Sequence, residues 1–114
     1  MNGNSINRVE LQGRVGTVRI QPAGGCVVAS FSLMTEETLT AADGTVLIEA
    51  SWHHVTAWEG RDIADLTSIG KGTPVNVTGR LRSFKYTNSE GIEKQLFEVV
   101  ASKIRVLTED EVGQ

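Results

Sequence analysis

With 114 residues, 39% of them apolar and 22% charged, the chain has the length and composition of one soluble globular domain rather than a disordered segment. The net charge of −3 gives no overall attraction to polyanions. However, Glu109, Asp110 and Glu111 hold three of the 14 acidic charges, which leaves 11 acidic against 11 basic residues elsewhere and room for a local basic stripe. No apolar run approaches the ~20 residues of a membrane-spanning helix. Residues 1–6 are too polar for a secretory signal, and a single cysteine excludes an internal disulfide, so we expect a cytoplasmic protein.

Short β-prone runs separated by turn residues follow one another along the chain. Between residues 27 and 34, the side chains at the odd positions are apolar and alternate with those at the even positions. This is the period of a half-buried strand. Asp43 and Gly44 form a hairpin signal and predict an extended β-hairpin between the second and third strands. We predict five strands, at residues 7–15, 27–34, 50–58, 74–86 and 95–107.

Residues 62–69 break this pattern. Ile63, Leu66 and Ile69 recur at helical spacing and glycines follow, so we predict one short helix between strands three and four, with Asp62 at its start. Five strands with a helix before the fourth are typical of the all-β OB-fold barrel. Another small barrel or a sandwich stays open on the pattern alone. We expect the domain to cover residues 1–107, followed by a short acidic, disordered tail at 108–114.

Two predicted strands place large aromatic side chains on one face together with cations. In the third strand, Trp52, His54 and Trp58 alternate with inward residues. The fourth strand does the same if no bulge shifts its phase; its outward residues include Arg80, Arg82, Phe84 and Tyr86. Four of the six Phe, Trp and Tyr residues belong to these two sets. Exposed aromatics usually mark a binding surface, although a single Trp on a small barrel is more often core or subunit interface.

Rings alternating with arginines suit an unpaired nucleic-acid strand, because each stacked base contributes about 1–3 kcal/mol whatever its sequence and guanidinium groups bind phosphate or stack. We therefore assign stacking to Trp52, Trp58, Phe84 and Tyr86, and backbone contacts to His54, Arg80, Arg82 and Lys85. Lys85 and Lys94 flank the turn at residues 88–91, where solvated hairpin charges are the default interpretation and phosphate contacts are the alternative.

Catalysis, a cofactor and a metal site find no support in the sequence. No nucleophile lies in an activating motif, and the carboxylates are scattered. His53 and His54 are adjacent in a strand and so face opposite sides, which makes a metal pair unfavourable. We predict a binding protein and no enzyme.

Five segments resemble bacterial single-stranded-DNA-binding proteins, and their order and spacing match that family over about residues 6–107. Trp52 to Trp58 is similar to the family's Trp-His-basic-apolar segment, and Gly70 to Arg82 to its Lys-Gly to Gly-x-Leu-Arg strand. The remaining segments are residues 7–16, 25–33 and 97–101.

The resemblance implies an OB-fold, homo-oligomeric and more often tetrameric than dimeric, that holds single-stranded DNA during replication, recombination and repair in the nucleoid. Family stacking positions fall on Trp52, Trp58 and Tyr86, whereas Leu39 stands where another stacking residue is usual. Subunit contacts would include His53 and a first strand pairing across a dimer axis, which comprises Arg8, Val9, Glu10, Leu11 and Gln12. Typical members end in an acidic tip that recruits enzymes, whereas this sequence stops at Gln114 after the short cluster at residues 109–111. We therefore expect either that the recruiting role is missing or that the acidic cluster serves a lesser one.

Two alternatives remain. Primosomal replication proteins share the barrel and act as dimeric adaptors in replication restart, but they lack the helix predicted at residues 62–69. A protein-assembly module would instead bury the same aromatic residues against a partner.

Overall fold

The computed structural model describes residues 4–112, and within them five strands close into a single barrel. Neighbouring strands run in the order β1-β2-β3-β5-β4; all pairs are antiparallel except β3 and β5, which pair in parallel. This confirms the predicted five-stranded OB-type barrel. The strands are β1 (Val9–Ala23), β2 (Cys26–Thr40), β3 (Val46–Trp58), β4 (Pro74–Thr87) and β5 (Glu93–Val106).

The strands are longer than their sequence patterns indicated. β1 continues past residue 15 because the shift in register between Val15 and Val18 lets it bend and keep pairing with β2. Gly24 and Gly25, with φ of 61° and 88°, then form the two-residue turn between these strands, a conformation that favours glycine at both positions. The predicted extended hairpin between β2 and β3 is present, and β4 and β5 form a second one.

The short helix predicted between strands three and four is present, but it is shorter than the expected residues 62–69. Only Leu66–Ser68 is helical, as one 3₁₀ turn capped by Asp65, whose carboxylate accepts a hydrogen bond from the Thr67 amide at 3.0 Å. Asp62 is not the cap, because its carbonyl accepts a bond from the Ile104 amide, and Ala64 donates to the Ile104 carbonyl, both at 3.0 Å. Pairing with β5 therefore replaces the first helical turn.

The core lies inside the barrel and is built from the inward residues of the strands. Leu33, Val55, Ala57, Val75 and Val77 have no exposed surface. Side chains from the segment between β3 and β4 pack against this cluster; they are Ile63, Leu66 and Ile69. The predicted helical apolar residues thus close the barrel although most of the helix is missing.

No helix in the part of the chain that the structure describes is long and apolar enough to span a bilayer.

The acidic end of the chain folds back on the barrel, whereas a disordered tail was expected at 108–114. Glu109–Val112 forms one helical turn. Arg14 binds Glu109 with an N–O distance of 2.7 Å, and Arg105 binds Glu111 at 2.8 Å. Residues 113–114 lie outside the described part of the chain.

Acid should release this helical turn. Hydrogen bonds from Arg14 lower the pKa of Glu109 below its ordinary value, and a hydrogen bond from Arg105 does the same for the pKa of Glu111. Because both carboxyl pKa values are lower when the turn is docked, docking is fully favoured above the ordinary glutamate pKa and is lost as the pH falls through the lowered values. ¹⁵N relaxation of residues 109–111 should show the mobility rising in acid while the barrel amides stay rigid.

Two variants test this release: Glu109→Gln removes one of the two carboxylates, and Asp110→Asn is its matched control. The first should make the turn mobile already at neutral pH, and the second, which touches neither arginine, should behave as the wild type. Equal mobility of the wild-type turn at neutral and strongly acidic pH would contradict the expectation.

Candidate nucleic-acid interface

Two indole rings lie exposed on the outward face of β3. Trp52 is 61% exposed and Trp58 is 52% exposed, whereas the intervening Val55 and Ala57 are fully buried. Six residues of extended chain separate the rings by ~20 Å along the strand. This is the alternation that the sequence predicted, and the rings do not pack inside the barrel.

Trp52 rests on a glycine of β1. A Cβ atom at Gly16 would lie 2.6 Å from Cζ3 of the indole and 2.6 Å from Oγ of Ser32. Only a residue without a side chain therefore leaves room for the ring in this position. One part of the indole is held against β1 and the rest is open to solvent, so the ring is oriented before any ligand arrives. Gly16 was not among the residues predicted for the site.

A groove of about 530 Å³ lies beside the β3 rings, across β1 and β2. His54 borders it, and its Nε2 is hydrogen-bonded to Oγ of Ser30 at 3.2 Å. Arg19 brings a cation to the same groove, and Ser32 accepts a hydrogen bond from the Thr17 amide at 3.0 Å. Arg19 was not among the predicted site residues, because the predicted first strand stopped before it.

The outward face of β4 carries a cation and a ring in contact. The guanidinium carbon of Arg82 lies 5.1 Å from the centroid of the Phe84 ring, and Tyr86 is exposed further along the strand. The register of β4 against β5 shifts after Thr78, but the extra residue is Ser102 in β5. The phase of β4 is therefore unchanged, and its outward residues share one face as predicted.

A buried carboxylate joins the two faces. Glu98 of β5, only 8% exposed, accepts a hydrogen bond from Oγ1 of Thr56 at 2.7 Å and one from Nη1 of Arg82 at 2.6 Å. Since β5 lies between β3 and β4, these contacts make one continuous surface from the indoles to the Arg82–Phe84 pair. The acid stood between two apolar residues of a predicted strand, which was a signal that the sequence analysis did not use.

One of the predicted cations lies on the other face. Lys85 alternates with Phe84 and Tyr86 and pairs with Gln95, so it lies on the opposite face of the hairpin; Lys94, which pairs with Tyr86, shares the aromatic face instead. Arg80 is on the aromatic face, where it pairs with Val100 of β5 and lines a hollow with Arg8 and Ser102. The structure thus places seven of the eight predicted residues on one face: Trp52, His54, Trp58, Arg80, Arg82, Phe84 and Tyr86.

Comparison with known proteins identifies the chain's relatives. A family model described as the single-strand binding protein family matches residues 6–107. The chain belongs to this family. A protein named single-stranded DNA-binding protein from Neisseria meningitidis is 34% identical over 108 residues, which cover 90% of this chain and 60% of the relative's length. The chain therefore spans less than two thirds of that protein.

Other relatives agree with this placement. The mitochondrial single-stranded DNA-binding protein of Danio rerio is 29% identical, covering 93% of this chain and 79% of the relative. A solved structure described as the Plasmodium falciparum SSB complex with ssDNA superposes with a TM-score of 0.72 at 30% identity, covering 95% of this chain and all of that one.

The arm formed by β2 and β3 beyond Trp52 carries only acidic charges, unlike the rest of the protein. Between residues 35 and 51 there is no lysine or arginine, and the acidic residues are Glu36, Glu37, Asp43 and Glu49. Glu37 and Glu49 pair directly across the two strands, an unfavourable arrangement of like charges. Leu39 is exposed near the tip. The arm therefore carries a purely negative charge.

The residues predicted for subunit contacts occupy two places. β1 pairs with β4 from Val9 onward, and the side chains of Glu10 and Gln12 accept hydrogen bonds from Nδ2 of Asn76 at 3.2 and 3.0 Å. His53 is half-buried at the inward side of β3, and its Nε2 is hydrogen-bonded to Oγ1 of Thr35 at 2.8 Å. His53 and His54 thus have separate partners on opposite faces.

Proposed function

We propose that this protein binds single-stranded DNA without sequence preference and protects it during replication, recombination or repair, without catalysis. The observation that carries the proposal is the continuous outward face from Trp52 and Trp58, through Thr56 and Glu98, to Arg82 and Phe84. Open rings stack on unpaired bases, which duplex DNA hides. The relatives' names, and the solved complex of one of them with ssDNA, support the same role.

We further propose that the protein acts as a homo-oligomer, a tetramer rather than a dimer, in the cytoplasm and with the nucleoid. The first strand, Arg8 to Gln12, supplies the dimer contact in this proposal, together with His53. Light scattering after size exclusion measures the mass of the assembly directly.

Replication-restart adaptors remain the second candidate function. Their expected difference was the missing helix between strands three and four, and the structure keeps only the turn Leu66–Ser68 there. This feature therefore separates the two classes less sharply than expected. The exposed face of β3 and β4 favours the single-stranded-DNA binder, because an adaptor that works through protein contacts does not need open rings.

Tryptophan fluorescence should fall when oligo-dT is added, because stacked bases quench the two indoles. Affinity should decrease with salt, with a log–log slope of about −0.7 for each phosphate neutralised. Titration at a series of salt concentrations measures both, and a duplex of the same length should bind far more weakly. Absence of quenching at low salt and micromolar protein would remove the proposal.

Lys94 and Lys85 provide a matched pair for this titration, since they lie on opposite faces of one hairpin. Lys94→Gln should make the salt slope shallower by about 0.7, and Lys85→Gln should leave it unchanged. The reverse result would place the bound DNA on the other face of the hairpin.

A further inference from the structure

We propose that Glu98 is a positioning residue for the binding of single-stranded DNA. Its carboxylate holds the guanidinium of Arg82 beside the Phe84 ring, so that Arg82 presents a flat stacking surface to a base and does not act as a free phosphate ligand. This inference rests on the single-stranded-DNA binding proposed above and names the chemistry of one part of that surface, a base-stacking subsite made by a neutralised arginine.

The contacts of Glu98 use both of its carboxylate oxygens. Oε1 accepts from Thr56 of β3, and Oε2 accepts from Nη1 of Arg82, which is also its cross-strand partner in β4. A buried carboxylate is tolerated only with such partners. The orientation of Arg82 is therefore tied through β5 to the strand that carries Trp52 and Trp58.

Charge makes the arrangement unusual for a surface that meets a polyanion. An isolated acid here would repel phosphates, and the ion pair with Arg82 cancels that repulsion but also uses the arginine's charge. The planar group remains available, because the Arg82 side chain is still half exposed and lies 5.1 Å from the Phe84 centroid. Guanidinium planes stack on bases as well as on rings. Arg82 thus offers a plane with little net charge.

Glu98→Gln tests the inference, because glutamine still accepts from Thr56 but no longer neutralises Arg82. We expect the salt slope for oligo-dT binding to steepen by about 0.7, since the freed guanidinium now neutralises one phosphate. At high salt, where stacking dominates, binding should weaken by about tenfold, as expected for a lost stack of on the order of 1.4 kcal/mol. An unchanged slope would overturn the inference.

Arg82→Lys is the second variant, and it keeps the charge beside Glu98 while removing the plane. The salt slope should stay at the wild-type value, and binding at high salt should weaken several-fold. Wild-type affinity in this variant would show that Arg82 acts only as a charge and would also overturn the inference. Failure of the wild-type protein itself to bind oligo-dT would instead reject the proposed function, so the two failures are distinguishable. Thermal unfolding by circular dichroism checks that both variants fold.

Discussion

Replacing Trp52 by alanine should weaken single-stranded-DNA binding by about 1–3 kcal/mol, the contribution of one base stacked on one ring. The barrel should stay folded, because the indole is mostly exposed and rests on Gly16 at the surface rather than in the core. This variant is thus expected to lose affinity for DNA while its stability to unfolding stays unchanged. Oligo-dT titration measures the first, and urea denaturation measures the second.

The protein's two tryptophans make this experiment specific. In Trp52→Ala the remaining indole is Trp58, so quenching of its fluorescence reports whether the bound DNA still reaches the far end of β3. We expect that quenching to persist at higher oligonucleotide concentration. Loss of Trp58 as well should give roughly additive effects, because the two rings lie ~20 Å apart along the strand.

Two conservative substitutions distinguish stacking from packing at Trp52. Trp52→Phe keeps a π-face and should retain most of the affinity, whereas Trp52→Leu covers Gly16 with apolar surface but offers no ring and should bind as weakly as the alanine variant. Equal affinity of the phenylalanine and leucine variants would show that the indole does not stack on bases.

The phase of the two aromatic strands was predictable because alternation is a local property. The β-branched and small residues of β3, such as Val55 and Ala57, fill the barrel and force their neighbours outward. The ends of elements were less predictable. Residues 62–69 have helical spacing, but the backbone hydrogen bonds that Asp62 accepts from Ile104 and that Ala64 donates to Ile104 decide their conformation. Ile104 lies some forty residues away, so no local pattern contains that partner.

The polar contacts of the site were the least predictable part, because they depend on which strands are neighbours. Glu98 gains its role only when β5 enters between β3 and β4. Lys85 and Lys94 read alike in the sequence, and the cross-strand register assigns them to opposite faces. Arg19 reaches the groove only because the bulge in β1 prolongs that strand.

Replacing Phe31 by alanine should have the largest effect on stability, about 3–5 kcal/mol. Phe31 is 2% exposed and lies in the middle of β2, paired with Val18 of β1 on one side and with Val55 of β3 on the other. The stability of a domain is itself about 5–15 kcal/mol, so the variant should be partly unfolded under conditions where the wild type is not. The midpoint of urea denaturation measures this loss.

Phe97→Ala is the matched control, because it removes the same side chain from a position that is 57% exposed. Its effect should stay within about 0.5 kcal/mol, as for most surface substitutions. Equal destabilisation by the two variants would show that the Phe31 side chain is not packed in the barrel core. Because only the folded protein binds, the alanine variant should also lose DNA affinity in proportion to its unfolded fraction. Trp52→Ala, in contrast, should lose affinity while fully folded.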